Sequence, residues 1–249
     1  MQSIEDLPPP PADARIAYGT KQNQFGDLRI PKGHGPHPTV IYIHGGFWRV
    51  KYDLTHAGHF CAALTDAGFA TWSLEYRRIG EEGGGWPGTL EDVLVGARHL
   101  AKLAPQYHLD LTRSVLVGHS AGGQLALWAA AQDALPLVGV VSLAGVCDLR
   151  RAWELKLGKL VVEEFLAGPP ERVPERYATA SPIELLPMKV PQHLVHGTAD
   201  VDVPFEISER FARASRNATL TRIEGAGHIE LIDSRHKESA HVLQDIAEW

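Results

Sequence analysis

The sequence predicts an α/β fold, a doubly wound and mostly parallel sheet with helices on both faces. Continuous apolar runs such as Thr39 to Ile43 recur along the chain, as expected of strands buried on both faces. Segments whose apolar residues have helical spacing alternate with these runs. A length of 249 residues suits one such domain, and no internal repeat is visible. We therefore expect residues 1–249 to form a single α/β domain.

The first predicted elements are three strands, a helix and a further strand. Arg15 to Tyr18 and Asp27 to Ile30 are short extended segments separated by a glycine-containing loop, which favours an antiparallel edge. The run Thr39 to Ile43 is β-branched and predicts the first long buried strand. A helix is expected over Leu54 to Ala67, and the next strand over Phe69 to Tyr76.

Later in the chain, predicted helices and strands continue to alternate. Thr89, with Asp92 three residues later, resembles a capping box and predicts a helix start at this point. Helices are predicted over Leu90 to Leu103, Ala121 to Ala131, Phe205 to Ala214 and Ser234 to Ala247, and strands over Val115 to Val117, Val138 to Ala144, His193 to His196 and Thr219 to Ile223. This alternation favours one α/β sandwich over two domains.

Residues 148–190 interrupt the alternation between the strand ending near Gly145 and the strand starting at His193. The segment is rich in charged residues, prolines and long side chains. Connections of this length in compact domains commonly have a function of their own. We therefore predict a small lid over residues 148–190.

Charge and composition narrow the classes of function. The formal net charge is -6, and the 24 lysines and arginines form no long run, which argues against a nucleic-acid partner. Met1 to Pro11 is acidic and proline-rich, unlike a secretory signal, and no apolar stretch approaches the ~20 residues that span a bilayer. We expect a cytoplasmic protein without a membrane partner, and the sequence leaves the oligomeric state open.

Gly118 to Gly122 form a G-x-S-x-G pattern that follows a predicted strand and opens a predicted helix. A serine on such a sharp turn needs glycines around it because neighbouring backbone passes too closely for a Cβ. A glycine-rich turn with an incidental serine would give the same five residues. The position between a strand and a helix favours Ser120 as a nucleophile.

A serine hydroxyl becomes reactive when a base accepts its proton and a third group orients that base. Asp200 and His228 each follow a predicted strand, at the end where parallel sheets bind ligands, and complete the order Ser, Asp, His. We therefore predict a catalytic triad of Ser120, Asp200 and His228. Asp202 is the nearest alternative acid, and Asp148, which follows the preceding strand, is a more distant one.

A second group of residues, His44 to Trp48, follows the first long buried strand. Acyl transfer passes through a tetrahedral oxyanion that preorganised N–H groups must meet, and glycines allow the close approach. A simple turn after a strand would also explain the glycines. Together with the predicted triad, the pattern predicts an oxyanion hole formed by the N–H groups of Gly46, Phe47 and Ala121.

Weaker signals concern a pocket and a metal. Trp48, Trp86 and Trp153 are candidates for an apolar substrate pocket, although large aromatic residues more often pack in a core. His56 and His59 are three residues apart on a predicted helix, a spacing found in metal sites. No carboxylate or cysteine completes such a site, so no metal is predicted.

The combined motifs resemble the α/β-hydrolase superfamily. More narrowly, His44 to Trp48, the Glu75 to Arg77 stretch and Trp86 followed by Pro87 are similar to the small carboxylesterase and kynurenine-formamidase-like group, related to the hormone-sensitive-lipase branch. The resemblance extends from about Arg15 onward. It implies an α/β-hydrolase fold with a short lid insertion, a Ser-His-Asp triad and a mechanism without a cofactor. Phe47 stands where the lipase branch commonly has a third glycine.

Three functions follow as hypotheses. The first is a carboxylesterase that cleaves small, uncharged, short-acyl esters through an acyl-enzyme. The second is an arylformamidase that removes a formyl group from an aromatic amine such as N-formylkynurenine. The third is a ligand-binding protein without turnover, which the ordered triad argues against because binding alone does not require one. The expected partner is a small-molecule ester or amide.

Overall fold

A computed structural model describes residue 4 and residues 7–248, so part of the Met1 to Pro11 segment and the last residue of the predicted domain lie outside the described residues. The strands are β1 (Ala14–Ala17), β2 (Phe25–Arg29), β3 (His37–Ile43), β4 (Ala70–Leu74), β5 (Leu109–His119), β6 (Leu137–Leu143), β7 (Gln192–Gly197) and β8 (Ala218–Ile223). The helices are α1 (Gly58–Asp66), α2 (Gly88–Tyr107), α3 (Ala121–Ala131), α4 (Leu149–Glu154), α5 (Val161–Leu166), α6 (Pro174–Ala180), α7 (Glu206–Ala214) and α8 (Lys237–Ala247), with short 3-10 helices at Leu54–Ala57, Leu157–Lys159 and Pro182–Leu185.

Within the described residues these strands form one sheet of eight, in the order β1-β2-β4-β3-β5-β6-β7-β8. The pairs β1 with β2 and β2 with β4 are antiparallel, and every other neighbouring pair is parallel. The predicted mostly parallel α/β sheet with an antiparallel edge is therefore confirmed. No helix in the described part of the chain has the length and apolar character needed to cross a membrane.

Helices cover both faces of the sheet because its central strands are apolar on both sides. Successive side chains of a strand point to opposite faces. Ile41 and Ile43 of β3 lie in the core that includes α2 and α3, whereas Val40 and Tyr42 lie in the core that includes α1 and α8. The continuous apolar run in β3 thus reflects burial between two helical layers.

The start of α2 lies close to its predicted position, but the capping interpretation is wrong. No side chain caps this helix. Thr89 Oγ1 accepts a hydrogen bond from Gly85 N (3.0 Å) and donates to the Arg77 carbonyl, while Asp92 Oδ1 accepts from Arg77 Nη2 (2.7 Å). Both buried side chains instead form hydrogen bonds with the loop that precedes α2.

Residues 148–190 fold into short helices that are anchored by a buried face. Phe165 of α5 is fully buried and stacks on Trp48, with ring centroids 4.6 Å apart. The Phe165 carbonyl also accepts a hydrogen bond from Trp86 N (2.8 Å). The segment therefore packs on the loop that follows β3, and its role as a lid stays a prediction.

Candidate active site

Ser120 lies on the sharp turn between β5 and α3, with φ 58° and ψ -122°. Backbone strain of this kind persists when surrounding contacts hold it in place. The Ser120 N–H donates to the Leu143 carbonyl of the adjacent strand (2.8 Å). A Cβ added at Gly122 would lie 2.1 Å from the Ile43 carbonyl oxygen, and one at Gly118 would lie 2.0 Å from the Gly122 oxygen. The neighbouring glycines are therefore required by close backbone contacts.

His228 and Asp200 are joined by a short hydrogen bond in which Nδ1 donates to Oδ2 (2.6 Å). The second carboxylate oxygen, Oδ1, accepts from the N–H groups of Asp202 and Val203, each at 2.9 Å. Because Nδ1 carries the hydrogen, neutral His228 has its free lone pair on Nε2. This is the tautomer that a general base requires.

The electrostatic surroundings keep Asp200 ionised. Burial alone would raise its pKa, but hydrogen bonds from His196 and His228 outweigh burial and hold the pKa well below its ordinary value. His196 is fully buried, and its Nε2 lies 3.3 Å from Asp200 Oδ2. Asp200 is thus a carboxylate that can stabilise a positively charged His228.

The two alternative acids occupy different environments. The exposed side chain of Asp202 lies at the cleft that contains Ser120. Asp148 caps α4 by accepting from Arg151 N (2.9 Å) and accepts from Arg210 Nε (2.8 Å). Among the three carboxylates, Asp200 makes the hydrogen bond to the His228 ring.

A metal has one candidate set of side chains among the described residues. Ligand atoms of Asp200, Asp202 and His228 all lie within 4.8 Å of one another. In this set the Asp200 and His228 atoms are already joined by the hydrogen bond between Oδ2 and Nδ1. His56 and His59 do not belong to it. The arrangement therefore favours acid-base chemistry at His228.

The predicted oxyanion loop, His44 to Trp48, lies against the turn that carries Ser120. A Cβ added at Gly45 would lie 3.0 Å from the Ser120 Cβ. Gly46 and Phe47 have left-handed backbone conformations, with φ 105° and 52°, and both line the cleft with Ser120. Ala121 is the first residue of α3, immediately after Ser120. Gly46 and Phe47 therefore line the same cleft as Ser120, Ala121 directly follows Ser120 in the chain, and the oxyanion hole stays a prediction.

The cleft has a volume of about 480 Å³, counting the space open to solvent. Its walls are formed by Gly46, Phe47, Tyr52, His56, His119, Ser120, Asp202, His228 and Ile229. Tyr52 and His56 were not predicted to lie at the site, because neither belongs to a catalytic motif. Their position shortly after the oxyanion loop is the signal that would have identified them.

Trp48, Trp86 and Trp153 are absent from the residues that line this cleft in the described structure. The left-handed turn at Phe47 and Trp48 (φ 52° and 56°) directs the Trp48 ring into the core, where its Nε1 donates to Gln124 Oε1 (2.9 Å). Trp86 packs at the edge of the same core. Trp153 Nε1 donates to Glu163 within residues 148–190 (3.0 Å). These three side chains therefore make packing contacts where a pocket role was expected.

Acid should destabilise the protein through His56. Burial, followed by the influence of His44, lowers the pKa of His56 to about 4, below the ~6.5 of an unfolded histidine. Between these values the unfolded chain binds the proton and the folded chain does not, so the free energy of unfolding decreases as pH falls.

We expect His56→Gln to reduce that loss by about 2 kcal/mol when urea unfolding is compared at about pH 7 and about pH 4.5. The exposed His34 provides the control substitution, His34→Gln. Equal pH dependence in both variants would contradict the assignment. Other buried histidines, such as His119, should preserve part of the acid sensitivity.

Comparison with known proteins identifies the family. A family model described as BD-FAE matches residues 27–214. The chain belongs to the BD-FAE family. The α/β-hydrolase resemblance that the motifs indicated is therefore confirmed, and the matched range includes the predicted oxyanion loop, Ser120 and Asp200.

Similar proteins include a probable isoprenylcysteine alpha-carbonyl methylesterase from Oryza sativa subsp. japonica, which is 26% identical over 87% of this chain and 58% of its own length. An acetyl-hydrolase from Streptomyces hygroscopicus is 31% identical over 64% of this chain and 62% of its own. The chain thus spans less than two thirds of the length of both relatives.

Solved structures share the fold of this BD-FAE family member. A truncated carbohydrate esterase from gut microbiota has a TM-score of 0.83 at 19% identity, covering 98% of this chain and 100% of that one. Inhibited esterase B from Lactobacillus rhamnosis has a TM-score of 0.82 at 19% identity, covering 98% and 88%.

Proposed function

We propose that this chain is a serine carboxylesterase that cleaves small, uncharged, short-acyl esters through an acyl-enzyme at Ser120. The observation that carries the proposal is the 2.6 Å hydrogen bond from His228 Nδ1 to Asp200 Oδ2. It leaves His228 Nε2 available as a base in the cleft that also contains Ser120. A cleft used for binding alone has no need of this arrangement.

In the proposed reaction, Ser120 Oγ attacks the ester carbonyl while His228 Nε2 accepts the hydroxyl proton. The charge on the carbonyl oxygen is met by the N–H groups of Gly46, Phe47 and Ala121. Collapse of the tetrahedral intermediate breaks the bond to the alcohol, which leaves with the proton from His228. Water then attacks the acyl group with His228 again as base, which releases the acid and restores Ser120.

Two similarities support an ester over a formamide. One relative is named a methylesterase and another an acetyl-hydrolase. Arylformamidase activity would use the same three side chains, because the same base and oxyanion donors suit an amide carbonyl. The ester hypothesis is therefore the one that the comparisons favour.

Labelling and turnover test the proposal together. A fluorophosphonate probe should modify Ser120, and p-nitrophenyl acetate and butyrate should be hydrolysed. N-formylkynurenine belongs in the same panel, since a rate well above that of every ester would move the chain to the arylformamidases. Absence of both labelling and turnover would favour the ligand-binding alternative.

Short acyl chains should be preferred. Gly158, within residues 148–190, lies near the Phe47 ring that lines the cleft, since a Cβ added at Gly158 would lie 3.2 Å from that ring. Each methylene that a pocket accepts or rejects changes the transition-state free energy by about 1–3 kcal/mol. We expect kcat/KM for p-nitrophenyl esters to fall by about 10-fold or more between butyrate and decanoate.

Phe47→Ala should shift this preference toward longer chains, since it removes the ring and leaves the backbone N–H. The measurement is a series of kcat/KM values for both proteins, with no activation expected at an oil-water interface. A maximum at decanoate in the unaltered protein would refute the small-cleft interpretation.

A further inference from the structure

A buried charged cluster lies directly behind the predicted oxyanion loop. His44, Glu75 and Arg78 are 0%, 1% and 5% exposed. His44 Nε2 is 3.1 Å from Glu75 Oε1, and its Nδ1 is 2.8 Å from the Gly45 carbonyl oxygen. The ring also stacks on Tyr76, with centroids 4.4 Å apart. The proposed reaction uses none of these side chains directly.

Both nitrogens of His44 face groups that accept hydrogen bonds. A carbonyl oxygen is always an acceptor, and an ionised carboxylate is an acceptor only. A neutral imidazole has one N–H and would leave one of these short contacts between two lone pairs. The geometry is satisfied when both nitrogens carry hydrogens, which makes His44 an imidazolium paired with Glu75.

The surroundings of Glu75 favour its ionised form. Its Oε1 also accepts from Tyr76 N (3.0 Å), and its Oε2 accepts from Leu54 N (3.1 Å). Burial alone would raise the pKa of Glu75, but His44 and then Arg78 hold that pKa below its ordinary value. Both carboxylate oxygens therefore act as acceptors.

Other charged and titratable groups surround the pair. Arg78 Nη1 lies 3.4 Å from Glu75 Oε1, and Arg78 Nη2 lies 3.2 Å from Glu81, so each buried cation has a carboxylate near it. The His56 ring meets the His44 ring edge-on at 5.6 Å. Asp53, on the turn before α1, interacts electrostatically with His44. The cluster thus supplies enough negative charge for His44 to be cationic.

The hydrogen bond to Gly45 has a direct consequence for the oxyanion loop. In a planar trans peptide the C=O and the next N–H point in opposite directions. A donor held on the Gly45 carbonyl therefore directs the Gly46 N–H away from His44, and Gly46 lines the cleft with Ser120. The Tyr76 hydroxyl fixes the preceding peptide by donating to the His44 carbonyl (2.8 Å).

We infer that His44 is a positioning residue, held as an imidazolium by Glu75, that orients and polarises the Gly45-Gly46 peptide toward the oxyanion formed at Ser120. Hydrogen-bonded chains polarise one another, so a charged donor on the carbonyl makes the peptide N–H a stronger donor. The inference rests on the proposed function for its kinetic consequence. The charge state of His44 is independent of that function.

Nitrogen-15 NMR of histidine-labelled protein tests the charge state directly. At neutral pH we expect a histidine signal with both ring nitrogens protonated that is present in the unaltered protein and absent from His44→Gln. Glu75→Gln should convert that ring to a singly protonated form. A singly protonated His44 in the unaltered protein would overturn the inference.

Kinetics test the positioning role. His44→Gln should lower kcat for p-nitrophenyl acetate by about 10- to 100-fold and leave KM nearly unchanged. This decrease in kcat is no larger than the decrease caused by removing an N–H donor of the oxyanion hole. Affinity for a trifluoromethyl ketone, which forms an oxyanion on the serine, should fall by the same factor. The control is His34→Gln, which should retain full activity. An unchanged kcat, or a change confined to KM, would overturn the role.

Two further outcomes concern a His44→Gln variant that does not fold and a failure of the proposed function. If His44→Gln does not fold, Glu75→Gln provides both the NMR and the kinetic readout, and a doubly protonated His44 with unchanged kcat in that variant would overturn the inference. If Ser120→Ala keeps its activity, the proposed function fails. The NMR spectrum of the unaltered protein still decides whether His44 is an imidazolium.

Discussion

Replacing Ser120 by alanine is expected to lower kcat for p-nitrophenyl acetate by a factor on the order of 10⁶, the loss seen when a triad nucleophile is removed. The hydroxyl is the attacking atom, so no neighbouring group can replace it. Residual turnover over the uncatalysed reaction should be about 10³- to 10⁴-fold, from the oxyanion hole and binding alone. Labelling by the fluorophosphonate probe should disappear, and circular dichroism and thermal unfolding should show an intact fold.

Ser114→Ala is the matched control for this variant. Ser114 is a buried residue of β5, the strand that leads to Ser120, and it pairs with Leu137 at the start of β6, whereas Ser120 follows the end of β5. The substitution removes the same atom far from the cleft, so activity should remain. Near-normal activity of Ser120→Ala would remove the basis of the proposed mechanism.

The sequence predicted the elements whose residues are apolar throughout. The helix predicted over Ala121 to Ala131 has the same bounds as α3. The agreement follows from burial, because each residue of this helix is buried or half-buried. In contrast, β5 begins at Leu109, whereas the apolar pattern indicated Val115 to Val117 only. The first part of β5 carries exposed Arg113, so pairing with β3 extends the strand where side-chain pattern gives no signal.

The candidate site could be located from motifs, but its walls could not. Ser120, Asp200 and His228 stand next to strand ends, where local sequence defines the turn. The inward position of Trp48 depends on two consecutive left-handed residues and on stacking with Phe165, which is distant in sequence. Tertiary packing therefore decides which side chains face the cleft.

The pairing of His44 with Glu75 also needed the three-dimensional structure. In the sequence, Glu75 was part of a motif that resembles the family, but the motif did not predict a physical role for it. In the sheet, β3 and β4 are parallel neighbours with Ile43 opposite Leu74, so the residues that follow each strand emerge side by side. The register of β3 and β4 therefore places the Glu75 carboxylate beside the His44 imidazole. That register cannot be predicted from a sequence pattern.

Asp200→Asn is expected to lower kcat by about 10⁴-fold, because an amide no longer stabilises the charged imidazole and can reverse the His228 tautomer. An amide nitrogen facing Nδ1 would require Nδ1 to accept, which moves the hydrogen to Nε2 and removes the lone pair that takes the serine proton. The loss should appear in kcat/KM for every ester in the panel, without a matching loss of thermal stability.

Asp202→Asn and Asp148→Asn separate this role from general effects of charge. Asp202 borders the same cleft, so its amide variant removes a negative charge from the site while the His228 hydrogen bond to Asp200 remains. We expect kcat to stay within about 10-fold of the unaltered protein for Asp202→Asn, since a neighbouring charge alters rather than abolishes base catalysis. Asp148→Asn should keep the α4 cap, since Asn caps helices as well as Asp does, but lose the ion pair with Arg210 and leave kcat almost unchanged. A larger loss in either variant than in Asp200→Asn would transfer the role of orienting acid to that residue.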